Sequence, residues 1–146
     1  MSNLTRRMEA KDLSAVRDLC LELGYEVAPE DLKTRFEFIN ERSNHCLFVA
    51  ETEGKVVGWS HVFLTPALTD KHRSEIAGLV VHPKYRKKGI GRELNSACEK
   101  WSVEQNCENI RVRSQAMRES AYEFCRSLGY DLRKIQNVFT KALDSI

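Results

Sequence analysis

Residues 79–101, LVVHPKYRKKGIGRELNSACEKW, restrict the possible folds more than any other stretch of the chain. Leu79, Val80 and Val81 run into His82 and Pro83, the pattern of a strand that ends in a turn. Ile90, Leu94, Ala97, Cys98 and Trp101 then recur at the spacing of one buried helical face. Between strand and helix lie Arg86, Lys87, Lys88, Gly89, Ile90, Gly91 and Arg92, four cations among seven residues. Glycines at a helix mouth let the backbone approach a ligand closely, and the first-turn N–H groups and the positive dipole end attract phosphate. The stretch reads as a seat for a pyrophosphate.

Two common phosphate loops are excluded by the residues themselves. Neither Gly89 nor Gly91 is followed by Lys and a hydroxyl, as the P-loop requires. Gly89-Ile90-Gly91-Arg92-Glu93-Leu94 begins like a dinucleotide fingerprint, but Leu94 stands where a small residue is needed for close helix packing. Arg86, Gly89 and Gly91 instead meet the pattern [RQ]-x-x-G-x-[GA], which resembles the acetyl-coenzyme A signature of the GNAT superfamily of N-acetyltransferases. A solvated basic face at a helix start is the plain alternative.

The 146 residues suit one domain with its own core, and the net charge of +2 leaves the basic cluster a local feature. Tyr85 alone interleaves that basic run with an aromatic ring, so nucleic acid is not the expected partner. Five cysteines, with no C-x-x-C pair, point to reduced thiols and away from a disulfide framework or a zinc site. No apolar leader or membrane-length run occurs, and the expectation is a soluble cytoplasmic protein that binds no metal and no membrane.

Taken in order, Leu4 to Met8 alternates weakly as a first strand, and Asp12 opens a helix with an apolar stripe that stops at Gly24. A second helix begins near Pro29, with Leu32, Phe36 and Ile39 on its inner face. Cys46 to Ala50 and Lys55 to Leu64 read as a hairpin around Glu53-Gly54, and Gly58 suggests a bulge or a close backbone approach. Arg73 to Val81 is the next strand, and Ile110 to Arg113 a short one after the long helix. Ala121, Phe124, Cys125 and Leu128 mark a helix stopped by Gly129, and Val138 to Leu143 a closing strand. Without a linker or repeat, these elements belong to a single α/β domain over residues 1–146.

The segment from Arg118 to Tyr130 is similar to a second GNAT stretch, N-x-x-A-x-x-F-Y-x-x-x-G-[FY], matching it at Ala121, Phe124, Gly129 and Tyr130. Arg118 replaces the Asn, and Cys125 stands where many members carry the Tyr that protonates the departing thiolate. The resemblance covers about two thirds of the chain. It implies a mixed, largely antiparallel sheet flanked by helices, with central strands splayed into an acetyl-CoA cleft. It also implies that Leu79, Val80 and Val81 pair with the pantetheine, and that Lys87 to Arg92, supported by Arg86 and Lys88, hold the pyrophosphate. Tyr25, Phe36 and Phe38 become candidate acceptor contacts, with ordinary core packing as the alternative.

A lysine-like ammonium has a pKa of about 10.4, so having it neutral at pH 7 costs about 4 to 5 kcal/mol and makes a general base useful. Glu75 lies eleven residues before Arg86, the spacing of the glutamate base in the histone-acetylating branch of the family. Strand alternation places it on one side with Ala77, Leu79 and Val81 unless Gly78 introduces a bulge. An exposed carboxylate at a strand start is the competing reading, and His61 or His72 acting through water is a further base, against a structural or solvated role for each. Cys125 is the candidate acid, against buried packing with Tyr122, Tyr130 or water in its place. The expected function is direct transfer of acetyl from acetyl-CoA to a primary amine of a small molecule. The rivals are a protein amine as acceptor and a non-catalytic acyl-CoA sensor. Dimers are common in the family, and a homodimer is one expectation.

Overall fold

The computed structural model describes residues 3–113 and 119–144. It falls into two compact units, residues 1–113 and 114–146. The first contains a five-stranded sheet in the order β1 (Asn3–Arg7), β2 (His45–Thr52), β3 (Lys55–Leu64), β4 (Arg73–Val81) and β5 (Asn109–Val112). Neighbours are antiparallel except β4 and β5, which are parallel. That parallel pair needs a crossover, and α3 (Ile90–Glu104) supplies it. The sheet is therefore mixed and largely antiparallel.

Each face of the sheet carries one apolar cluster. On one side α3 lays Ile90, Leu94, Cys98 and Trp101 against Phe48, Val62 and Ile76. On the other, α1 (Leu13–Glu22) and α2 (Pro29–Asn40) bring Val16, Cys20 and Phe36 onto Leu47 and Val49. Helix α1 ends as its sequence directs. Gly24 has φ +86°, and Tyr25 N–H reaches back to the Cys20 carbonyl at 2.8 Å, which caps the last turn. The Arg6 guanidinium ties β1 to Glu51 of β2 and holds both Asp12 oxygens at 2.8 Å, so an arginine in a weakly patterned strand has an anchoring role.

Two bulges set which residues face which side. Pairing shifts from Ala50↔Gly58 to Glu51↔Val56, which leaves Val57 as an extra residue in β3. A side chain on Gly58 would lie 2.8 Å from the Val80 carbonyl oxygen, the close backbone approach its position suggested. Pairing also shifts from His61↔Gly78 to Val62↔Ile76, so Ala77 is the extra residue in β4. This corrects the simple alternation. The bulge reverses the pleat, so Glu75 faces the α1/α2 side while Leu79 and Val81 pack on the α3 cluster.

The second unit contains α4 (Glu119–Ser127), which Gly129 terminates at φ +94°. Arg118 lies outside the described residues. The closing strand expected at Val138 to Leu143 is absent, since residues 130–144 form no helix or strand. Alternating apolar residues make a strand only where a neighbouring edge accepts their backbone bonds, and no described ladder includes this segment.

Candidate active site

The ladder between β4 and β5 runs from Arg73↔Asn109 to Ile76↔Val112 and ends just before the Ala77 bulge. Among the described residues the pairing of these two strands does not continue beyond it. His82 N–H bonds the Val57 carbonyl of β3 at 2.8 Å, so by strand alternation the backbone groups of Val80 face β3 and those of Leu79 and Val81 face away. The Val81 carbonyl accepts from Arg86 Nε at 3.3 Å, consistent with that direction. The outward edge at Leu79 to Val81 thus leads directly toward the glycine turn.

Pro83 to Tyr85 form one 3-10 turn, and Lys87 and Gly89 then take positive φ of +62° and +84°. These two left-handed residues reverse the chain into α3. A Cβ built on Gly89 meets nothing within 4 Å, so the mouth of the helix is open. Helix geometry leaves the N–H groups of Ile90 and Gly91 without an intrahelical acceptor, aimed at that opening. Lys88 lies 5.5 Å from the Tyr85 ring centroid, close enough for a cation–π contact. An open anion seat next to a strand with outward amides fits a pyrophosphate joined to an amide-bearing arm.

Glu75 sits on the opposite face of β4. Its Oε1 accepts from Arg111 Nε at 2.9 Å and from Arg113 Nε at 3.2 Å, an ion-paired arrangement that the sequence did not reveal. Across β3 the same face carries His61 and Phe63, and His45 Nδ1 lies 2.9 Å from His61 Nε2. Burial, followed by the neighbouring His45, pushes His61 down to about 4. Burial and then Arg42 push His45 down as well. His72 has a structural role instead, since its ring and carbonyl bond Gln105 and Glu108 beyond α3. Phe36 is core, 7% exposed, whereas Tyr25 and Phe38 are exposed and Phe38 is covered by the Arg42 guanidinium at 3.3 Å.

Cys125 belongs to the second unit, on α4, where burial raises its thiol pKa and keeps it protonated. Cys20, Cys46 and Cys98 are buried free thiols, and burial pushes Cys98 up to about 12. Among the described residues no group of three or more His, Cys, Asp or Glu side chains is arranged to hold a metal ion. No described helix is long and apolar enough to cross a membrane.

Residues 12–130 match the family model for the Acetyltransferase (GNAT) family. The chain belongs to the GNAT family. Acetyl-CoA is the cosubstrate that membership brings, and the seat described above fits it. This GNAT chain is similar to a GNAT family acetyltransferase of Staphylococcus aureus at 28% identity, covering 98% of this chain and 100% of that one, with a TM-score of 0.74. The fold also recurs in AAC(6')-Iy bound to the bisubstrate analogue CoA-S-monomethyl-acetylneamine, at 16% identity, 98% and 100% coverage, and TM-score 0.87. Glucosamine-6-phosphate N-acetyltransferase of Arabidopsis thaliana matches at 22% identity, 99% and 100% coverage, and TM-score 0.80.

Proposed function

We propose that the chain is an N-acetyltransferase that moves an acetyl group from acetyl-CoA to a primary amine of a small molecule, by direct attack while both substrates are bound. The observation that carries this reading is the outward edge of Leu79 to Val81 running into the open glycine turn at Gly89. The cosubstrate supplies an acetyl thioester. The amides of Lys87 to Arg92 hold its pyrophosphate, with Arg86 and Lys88 adding charge, and Leu79, Val80 and Val81 align its amide arm. An N–H of that edge serves as donor to the carbonyl oxygen.

On the other face, Glu75 attracts the ammonium form of the acceptor and is its first base, directly or through water. Cys125 is the candidate donor that returns a proton to the thiolate. Its protonated state suits an acid and disfavours a thiolate nucleophile, which argues for direct transfer over acyl transfer through the cysteine. Both units then act as one domain, as the span of the family match across them supports. Similarity to aminoglycoside and glucosamine-6-phosphate acetyltransferases supports a small polar amine as acceptor. A cytoplasmic homodimer is the form in which we place it.

The test is release of free thiol from acetyl-CoA in the presence of a panel of primary amines. Glu75→Gln should lower the rate about 100-fold, most steeply on the acid side, without changing acetyl-CoA affinity. An unchanged pH profile removes Glu75 as base. A second reading, the acyl-CoA sensor, draws support from the commitment of Glu75 Oε1 to two guanidinium donors. Tight acetyl-CoA binding without turnover of any amine would favour it.

A further inference from the structure

On the α1/α2 side of the sheet, one register row runs from His45 through Phe63 and Glu75 to Arg111, and His61 lies diagonally beside it. Three rings brace one another there. His45 stacks on Phe63 with centroids 5.4 Å apart and 15° between planes, and His61 meets Phe63 at 5.7 Å. The 2.9 Å contact between His45 Nδ1 and His61 Nε2 needs one N–H and one lone pair, so the two rings are coupled through a single shared proton.

Position gives the pair its role. His61 is the cross-strand partner of Gly78, one residue from Leu79, whose backbone groups face the open edge. The Trp59 ring lies over Gly78 and walls the adjoining side, since a Cβ there would come within 2.8 Å of it. Glu75, in the next row, already has Oε1 shared between Arg111 and Arg113. Arg42, after α2, acts electrostatically on His45, and Glu75, with Arg111 and Arg113 on its Oε1, lies in the same register row as His45. The lowered pKa values of both rings agree with a pair that is neutral at neutral pH and passes a proton on without storing it.

We infer that His61 and His45 form a one-proton relay that carries the proton of the acceptor amine from the sheet face to solvent. This rests on the transferase reading. With both rings in the Nε2–H form, the amine proton passes to His61 Nδ1, the His61 Nε2 proton crosses to His45 Nδ1, and the His45 Nε2 proton leaves to water. One proton enters and one leaves. His61 is the catalytic residue of the pair, and His45 is a positioning residue that acts through it. Glu75 remains the first base, which takes a proton from the ammonium, and the relay takes the proton that the amine sheds on attacking the thioester.

Ring-nitrogen NMR of the intact protein with acetyl-CoA, its histidines labelled with nitrogen-15, tests the pair without any acceptor. The relay requires two neutral rings at pH 7 that share one N–H and take up their first proton well below the ordinary histidine range. A charged ring at pH 7, or two rings titrating independently near the ordinary value of about 6.5, overturns it. In parallel, thiol release is followed with ethanolamine, glucosamine 6-phosphate and neamine as acceptors. His61→Gln should lower kcat about 100-fold while acetyl-CoA affinity holds. Added imidazoles should restore His61→Ala, with rates that rise with the pKa of the imidazole, a dependence that mere cavity filling does not produce. His45→Gln should slow the rate and change its pH profile without changing KM. A His61→Gln rate within about twofold of the parent contradicts the relay. If the parent binds acetyl-CoA and acetylates none of the three amines, the small-amine reading loses its support, and the NMR result alone decides the fate of the pair.

Discussion

Gly89 is the single residue on which the proposed acetyl-CoA seat most depends. Its φ of +84° strains any β-branched replacement, and on the proposed reading the open space at its Cβ receives the pyrophosphate. Gly89→Val should cost about 1 to 3 kcal/mol of stability, leave the circular dichroism of the folded protein intact, and abolish acetyl-CoA binding in a titration. His61 gives a second residue-scale prediction. Its folded pKa, about 4, lies below the unfolded value of 6.5, so the unfolded chain binds more protons between those limits. Its contribution is fully present above about pH 6.5 and is lost as pH falls toward 4. Urea denaturation should show this acid loss, amounting to no more than about 3 kcal/mol after screening by solvent, and His61→Gln should reduce it. The place of Gly89 at the mouth of α3 was legible in sequence because the apolar helical stripe begins at Ile90, directly after it. The ion pairs of Glu75 were not, because Arg111 and Arg113 are more than thirty residues away and meet it only through the parallel ladder.

Register matters most at the scale of elements. The turn at Glu53-Gly54 fixes a hairpin pairing Thr52 with Lys55, and a regular continuation would set His45 opposite Val62. The extra residue Val57 moves the register by one and sets His45 opposite Phe63, which brings the two imidazoles together. Gly58 signalled this bulge, yet the side-chain partners it creates follow only from counting through it. The bulge at Ala77 had a weaker signal, and it reversed the expected face of Glu75. Gly58→Ala should therefore do local damage, since its Cβ would lie 2.8 Å from the Val80 oxygen and 3.1 Å from Leu94 Cδ1. We expect a loss of about 1 to 3 kcal/mol in urea denaturation, together with weaker acetyl-CoA binding as β4 is displaced. Retention of both properties would mean that the close approach of β3 and β4 does not shape the edge.

At the scale of the whole molecule, the sheet and its two layers of helices were legible because nearly every element carries its own periodicity and its own stop signal. Helix α3 shows this most clearly, with its stripe from Ile90 to Trp101 buried as the spacing implied. The segment after Tyr130 was misread because alternation cannot reveal whether a free sheet edge is available to it. Family membership joins these layers to acetyl-CoA, whereas the proposed acceptor face draws on side chains that four separate strands bring together. The central claim is that the β4 edge and the glycine turn form one acetyl-CoA seat. Calorimetric titration of the intact protein with acetyl-CoA decides it: one seat per chain gives saturable binding at one site, and no binding at all means that the edge and the turn do not form that seat.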